Sequence, residues 1–156
     1  MPVFLSHKRE DSQATAFIAH ALTLRGIRFY LDVFDPMLRT TEDITKSLQE
    51  SIHKCTHIMA VVSEYTTASW WVPFEIGVAT ELNRRVSTYE LSTVNLPDYL
   101  MKWPILRNGK DLDKFCDVYE LDQAVEFQSQ LPSAATRSGA DRFHKALLGH
   151  LEARPQ

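Results

Sequence analysis

Ile58-Met59-Ala60-Val61-Val62-Ser63-Glu64-Tyr65-Thr66-Thr67-Ala68-Ser69-Trp70-Trp71-Val72-Pro73-Phe74-Glu75 decides how the rest of the chain is read. Its first five residues are short, β-branched and uninterrupted, the pattern of a strand buried on both faces. Phe74, Val78 and Leu82 then fall at helical spacing, which predicts a helix running on to Arg85. Ser69 suits an N-cap, and Pro73 is tolerated only near a helix start, so the helix begins at about Ser69 or Trp70. Trp71 and Glu75 lie four apart and share one helix face, a flat aromatic surface beside an anion. The positive end of the helix dipole favours that anion. A carboxylate just beyond the carboxyl end of a central strand stands where open α/β sheets bind their ligands.

Working outward, residues 3–5 read as a first buried strand and 6–11 as a polar loop. Asp11 or Ser12 can cap a helix with Ala14, Phe17, Ile18, Ala21 and Leu22 on its apolar face, and Gly26 supplies the left-handed residue that ends it. Residues 27–31 form a second strand, followed by a loop from Asp32 to about Thr41. Glu42 or Asp43 opens a helix carrying Ile44, Leu48, Ile52 and Cys55 on one side. Strand and helix alternating at these spacings predict right-handed βαβ units and a parallel sheet covered on both faces over residues 1–85. Beyond, the expectations are a strand at 86–91, a turn at 95–99, a short edge strand at 103–106 containing Pro104, a helix at 111–119, a loop at 130–139 and a closing helix at about 139–153.

The chain has 156 residues, 44% hydrophobic and 24% charged, which predicts one globular domain with its own core. A formal net charge of -3 argues against nucleic acid as the main partner. No apolar run approaches membrane-spanning length and Met1-Pro2 leads straight into a strand, so neither a membrane nor a signal peptide is expected. Cys55 and Cys116 make no disulfide framework and suit a reducing compartment, with the cytoplasm as the expected location.

Val3-Phe4-Leu5-Ser6-His7 followed by an acidic pair, a strand ending in Asp32, the helix from Ile44 to Ile52, Val61-Val62-Ser63 and Trp71-x-x-x-Glu75 together resemble a TIR (Toll/interleukin-1 receptor) domain of the bacterial type. The resemblance covers residues 1–85 well and 86–156 in outline, so the chain reads as a single TIR domain. It implies a flavodoxin-like three-layer fold around a five-stranded parallel sheet. For members with the tryptophan-glutamate motif it implies cleavage of NAD+ at the nicotinamide-ribose bond, with NAD+ as substrate and no cofactor. A chain of this size is similar to the signal-making component of the Thoeris antiphage system. That similarity implies a homo-oligomer built through TIR-TIR contacts, a downstream effector that senses an ADP-ribose-type or cyclic ADP-ribose-type product, and a phage-derived activator. Two other functions remain compatible with the sequence: a non-catalytic TIR adaptor and a nucleoside deoxyribosyltransferase-like enzyme.

The chemistry assigns Glu75 the catalytic role. Most glycoside hydrolases need a second carboxyl group to protonate the leaving oxygen. Nicotinamide leaves NAD+ as a neutral molecule, so one ionised carboxylate at the ribose suffices. The substrate-binding candidates are Ser6, His7, Lys8 and Arg9 after the first strand, then Asp32, Phe34 and Asp35 in the loop that corresponds to the family's BB loop, and Trp71. Lys8 and Arg9, with the N–H groups that open the first helix, suit a pyrophosphate. Phe34 suits stacking on a ring, and Asp32 suits orienting the ligand. Residues 32–51 lack the glycine expected of that loop. No metal site is expected, because His53-x-Cys55-x-His57 straddles a helix end and a strand start, where alternate residues do not converge. Ser6 and His7, adjacent on a strand end, point to opposite faces and make no catalytic pair.

Overall fold

The computed structural model of the chain describes residues 1–34, 41–66, 71–128 and 137–152, with the backbone alone for 32–34, 41–45 and 71–72. Its elements are β1 (Val3–Lys8), a 3-10 turn (Arg9–Asp11), α1 (Ser12–Leu24), β2 (Phe29–Phe34), α2 (Thr41–Lys54), β3 (His57–Val62), α3 (Trp71–Glu81), β4 (Arg85–Glu90), α4 (Asp98–Met101), β5 (Ile105–Leu106), α5 (Gly109–Gln128) and α6 (Arg137–Glu152). The strands form one sheet in the order β2-β1-β3-β4-β5, every neighbouring pair parallel. From β1 the chain moves outward to β2 and then back across to β3, so the topological switch point lies between β1 and β3. This is the flavodoxin-like order.

Alternation along the strands builds two core layers. Val3, Leu5, Met59 and Val61 pack against α1, α5 and α6 through Ile18, Leu22, Phe115 and Phe143. Phe4, Ile58, Ala60 and Val86 pack on the other side against α2, α3 and α4 through Leu48, Ile52, Ile76 and Leu100. Each of these side chains larger than alanine contributes about 1.5–3 kcal/mol by leaving water.

Five of the boundaries that differ from the sequence reading bear on the site or the core. β1 runs to Lys8 and β2 to Phe34, because Ser6, His7 and Lys8 pair in register with Asp32, Val33 and Phe34. Ser6, His7 and Lys8 are therefore strand residues, and Asp32 and Phe34 end a strand instead of opening a loop. α3 stops at Glu81, short of the expected Arg85, which is the first residue of β4. Asn83 adopts φ 51, and Arg84 N–H reaches the Ala79 carbonyl at 2.8 Å while Asn83 N–H reaches that of Thr80 at 3.0 Å, a Schellman ending. α5 runs for 20 residues, far past Tyr119, and α6 starts at Arg137 inside the expected loop. Gly26 ends α1 as expected, with φ +66.

The buried helix faces also shift. Phe17 is 63% exposed while Thr15, Ile18, Ala19 and Leu22 are buried. Thr15 fits inside because its hydroxyl donates to the Asp11 carbonyl at 2.9 Å.

At the amino ends of the strands, α6 completes the sheet. Thr88 N–H bonds the Pro104 carbonyl at 2.9 Å, but β5 has only two residues and does not extend back to Val86. Val86 N–H instead donates to His144 Nε2 at 2.8 Å. Burial holds His144 down to about 4, so the ring is neutral and able to accept. Beside it, wholly buried Arg85 donates to Asp122 at 2.7 Å and to Glu126 at 2.8 Å, and Arg142 of α6 bonds both carboxylates.

Candidate functional site

Glu75 lies in the second turn of α3, just past the carboxyl end of β3, and is only 2% exposed. Its neighbour Phe74 is 37% exposed, so on this helix a carboxylate takes a core-facing position and an aromatic ring does not. Buried carboxylates are rare without a hydrogen-bonding partner. Here the Ser6 hydroxyl donates to Glu75 Oε2. Ser6 shares its strand face with Phe4, the face that α3 covers, which is why the two side chains meet.

His7 points the other way. It is buried against α1, with Nε2 3.3 Å from the Ser12 hydroxyl, so the sheet separates it from the Ser6–Glu75 contact. Lys8 ends β1 half-buried, and Arg9 opens the following turn exposed. Both precede the amino end of α1, where no side-chain cap bonds the helix. Asp32 stands opposite Ser6 in the β1–β2 register and Phe34 opposite Lys8, at the same end of the sheet. Trp71 starts α3, one turn before Glu75. The side chains of Asp32, Phe34 and Trp71, and the whole of Asp35, lie outside the described residues.

The loops after β1 and β3 meet across the switch point, as the fold class leads one to expect. The side chains that join them were not candidates in the sequence reading. Asp11, expected to cap α1, makes no such cap; its Oδ2 instead accepts from the Ser63 hydroxyl at 2.7 Å and from the Thr66 hydroxyl at 3.4 Å. Ser63 and Thr66 at a strand end signal a local hydroxyl turn, but nothing in their spacing points to a partner 52 residues away.

His57 and Cys55 are buried in the core. His57 sits among Phe115, Tyr119 and Phe143, with ring centroids 4.7 Å from Phe143 and 4.8 Å from Tyr119, and burial drives it well below the ordinary histidine range. Cys55 packs in the opposite core layer, its thiol pushed up to about 12 by burial, so these two residues of the His53-x-Cys55-x-His57 pattern stand on different faces of the sheet. Among the described residues no group of three or more metal-ligating side chains converges, and no helix is long and apolar enough to cross a membrane.

The arrangement is thus a buried carboxylate at the switch point of a parallel sheet, hydrogen-bonded to a hydroxyl, with cationic residues nearby on the β1–α1 connection. The family model of the TIR domain matches residues 3–131, from β1 through α5 and ending before α6. Comparison with curated proteins returns no match. The length of that family match, and the five-stranded parallel sheet it spans, establish that the chain belongs to the TIR domain family.

Proposed function

We propose that this TIR domain cleaves NAD+ between nicotinamide and ribose, with Glu75 as the carboxylate at the reacting carbon. The observation that carries this reading is Glu75 itself: a carboxylate on a core-facing position of α3, at the switch point, already accepting a hydrogen bond from a hydroxyl. A ribose hydroxyl is the same kind of donor, and on binding it takes over or shares the acceptor that now serves Ser6. As the bond between C1′ and the pyridinium nitrogen breaks, its electron pair goes to the nitrogen and nicotinamide leaves neutral. The positive charge left on the ribose is stabilised by the fixed carboxylate. Lys8 and Arg9, on the connection that leads into α1, suit the pyrophosphate.

The group that attacks C1′ selects the product. Water, losing a proton, gives ADP-ribose; a hydroxyl or ring nitrogen of the same nucleotide gives a cyclic isomer, which a site that excludes water favours. In this reading Trp71, Asp32, Phe34 and Asp35 contribute to the pocket, and His7 supports it from the α1 side. Assembly through TIR-TIR contacts raises activity, a phage-derived trigger acts upstream and an effector senses the product. Full activity of a monomer at high dilution would contradict the assembly step.

The test is chromatography with mass detection on NAD+ incubated with concentrated protein, beside Glu75→Gln. Nicotinamide release that disappears in the variant supports the reading, and the mass of the second product separates hydrolysis from cyclisation. No release at any concentration, with or without candidate activators, favours the adaptor. Release of a base from free deoxynucleosides alone favours the deoxyribosyltransferase-like enzyme.

A further inference from the structure

Asp11 is buried to 5% exposure at the point where the β1–α1 connection enters its helix. It closes the 3-10 turn that runs straight into α1, with φ -95 and ψ 7 instead of the extended backbone of an N-cap, and its side chain makes no cap bond. Its carboxylate accepts the hydroxyls of Ser63 and Thr66, both buried, from the connection between β3 and α3. The first four residues of that connection, 63–66, are closed on themselves by three further bonds. Ser63 N–H donates to the Thr66 hydroxyl at 3.1 Å, Tyr65 N–H to the Ser63 hydroxyl at 3.1 Å, and Thr66 N–H to the Ser63 carbonyl at 3.0 Å. Residues 63–66 are therefore a compact turn joined to the Asp11 carboxylate, and each hydroxyl that reaches Asp11 also holds the turn together.

We infer that Asp11 is a positioning residue: through Ser63 and Thr66 it fixes the β3–α3 turn against the β1–α1 turn, and thereby sets where α3 starts and where Glu75 meets Ser6. The inference rests on the reading of Glu75 given above, while the latch itself is measurable without any reaction. Asp11 lies on one wall of the switch point and Glu75 belongs to the helix that follows the other. A carboxylate joining the walls keeps the reacting group in register with the strand that carries Ser6. Misplacement of a reacting group by about 1 Å is enough to slow catalysis on the order of 100-fold. Because Asp11 touches the turn and not the substrate, its loss lowers kcat and leaves KM nearly unchanged.

Amide hydrogen exchange and nicotinamide-release kinetics on the full chain test this together, with Asp11→Ala, Asp11→Asn, Ser63→Ala and Thr66→Val. In Asp11→Ala the amides of Tyr65 and Thr66 exchange at least roughly tenfold faster, as expected for the loss of the two buried hydrogen bonds from Ser63 and Thr66, while those of β1 and β3 keep their protection. The same variant loses on the order of 10- to 100-fold in kcat with KM within about twofold. Asp11→Asn, which keeps an acceptor, recovers most of both losses. Ser63→Ala, which removes the shorter bond, has a larger effect than Thr66→Val. Unchanged exchange at Tyr65 and Thr66 in folded Asp11→Ala overturns the inference, as does faster exchange with kcat intact. Faster exchange in a protein whose wild type releases no nicotinamide contradicts the assignment of Glu75 and leaves the latch standing.

Discussion

At the amino end of the sheet Arg85 is buried against Asp122 and Glu126, opposite charges at 2.7 and 2.8 Å, and α6 adds Arg142 to the same carboxylates. At the carboxyl end Glu75 is buried against the Ser6 hydroxyl and Asp11 against the hydroxyls of Ser63 and Thr66. Charges that meet opposite charges hold a helix in place. At the carboxyl end the contacts described for Glu75 and Asp11 include hydroxyl donors, the kind of donor that a ribose would present in the proposed reading. In the proposed reading one end of the sheet holds its helices and the other carries the chemistry, and variants at each end should separate the two.

The largest effect on stability belongs to Asp122→Ala. It leaves Arg85 buried with one of its two carboxylates gone, a loss of about 3–5 kcal/mol read from the urea midpoint. Nicotinamide release measured below the unfolding transition should be unchanged. A midpoint within about 1 kcal/mol of wild type would mean that the amino-end network is not what holds α5 and α6.

His144 sharpens the same end. Its folded value of about 4 lies below the ordinary 6.5, because burial opposes the charge and Arg85 and Lys102 oppose it too, while Asp141 works the other way. The unfolded chain therefore takes up the proton first as pH falls. The contribution of the neutral ring is fully present above about pH 6.5 and is lost as pH drops toward about 4. His57 is shifted in the same direction, so the two act together. His144→Gln keeps an acceptor for Val86 N–H and removes one titration, and should flatten the fall in urea midpoint between pH 7 and pH 5 without abolishing it. His144→Ala removes the acceptor and should cost about 1–3 kcal/mol at pH 7.

The smallest effect expected is at neither end's charges. Gly26→Ala meets no atom within 4 Å, so its cost is that of the left-handed backbone alone, about 1–2 kcal/mol by chemical denaturation.

The parallel sheet, its first three βα units and the place of Glu75 were legible because apolar runs and turn residues state them directly. What the sequence hid follows one pattern: on three helices a polar residue takes a core-facing place and an apolar one faces out. Thr15 is buried beside exposed Phe17, Glu75 beside Phe74, and Asp122 beside exposed Leu121. On α5 this broke the helical period after Tyr119, and half the helix went unread. The ends of β1 and β2 were missed because Ser6, His7 and Asp32 look like loop residues, whereas parallel pairing between the two strands satisfies their backbone groups. The fold class leads one to expect the two connections to meet, but the Asp11 contact itself was hidden because Asp11 looks like a helix cap and Ser63 and Thr66 like a local turn. α6, beyond the family-matched residues, shows only an apolar stripe in sequence; its partner Val86 is left open by the shortness of β5.

The most direct test measures nicotinamide release and unfolding midpoint side by side for wild type, Glu75→Gln and Asp122→Ala. The account predicts that Glu75→Gln loses release by at least on the order of 100-fold at an undiminished midpoint, and that Asp122→Ala loses midpoint with release intact. Release that survives in folded Glu75→Gln, or that falls in both variants only in step with stability, would contradict it.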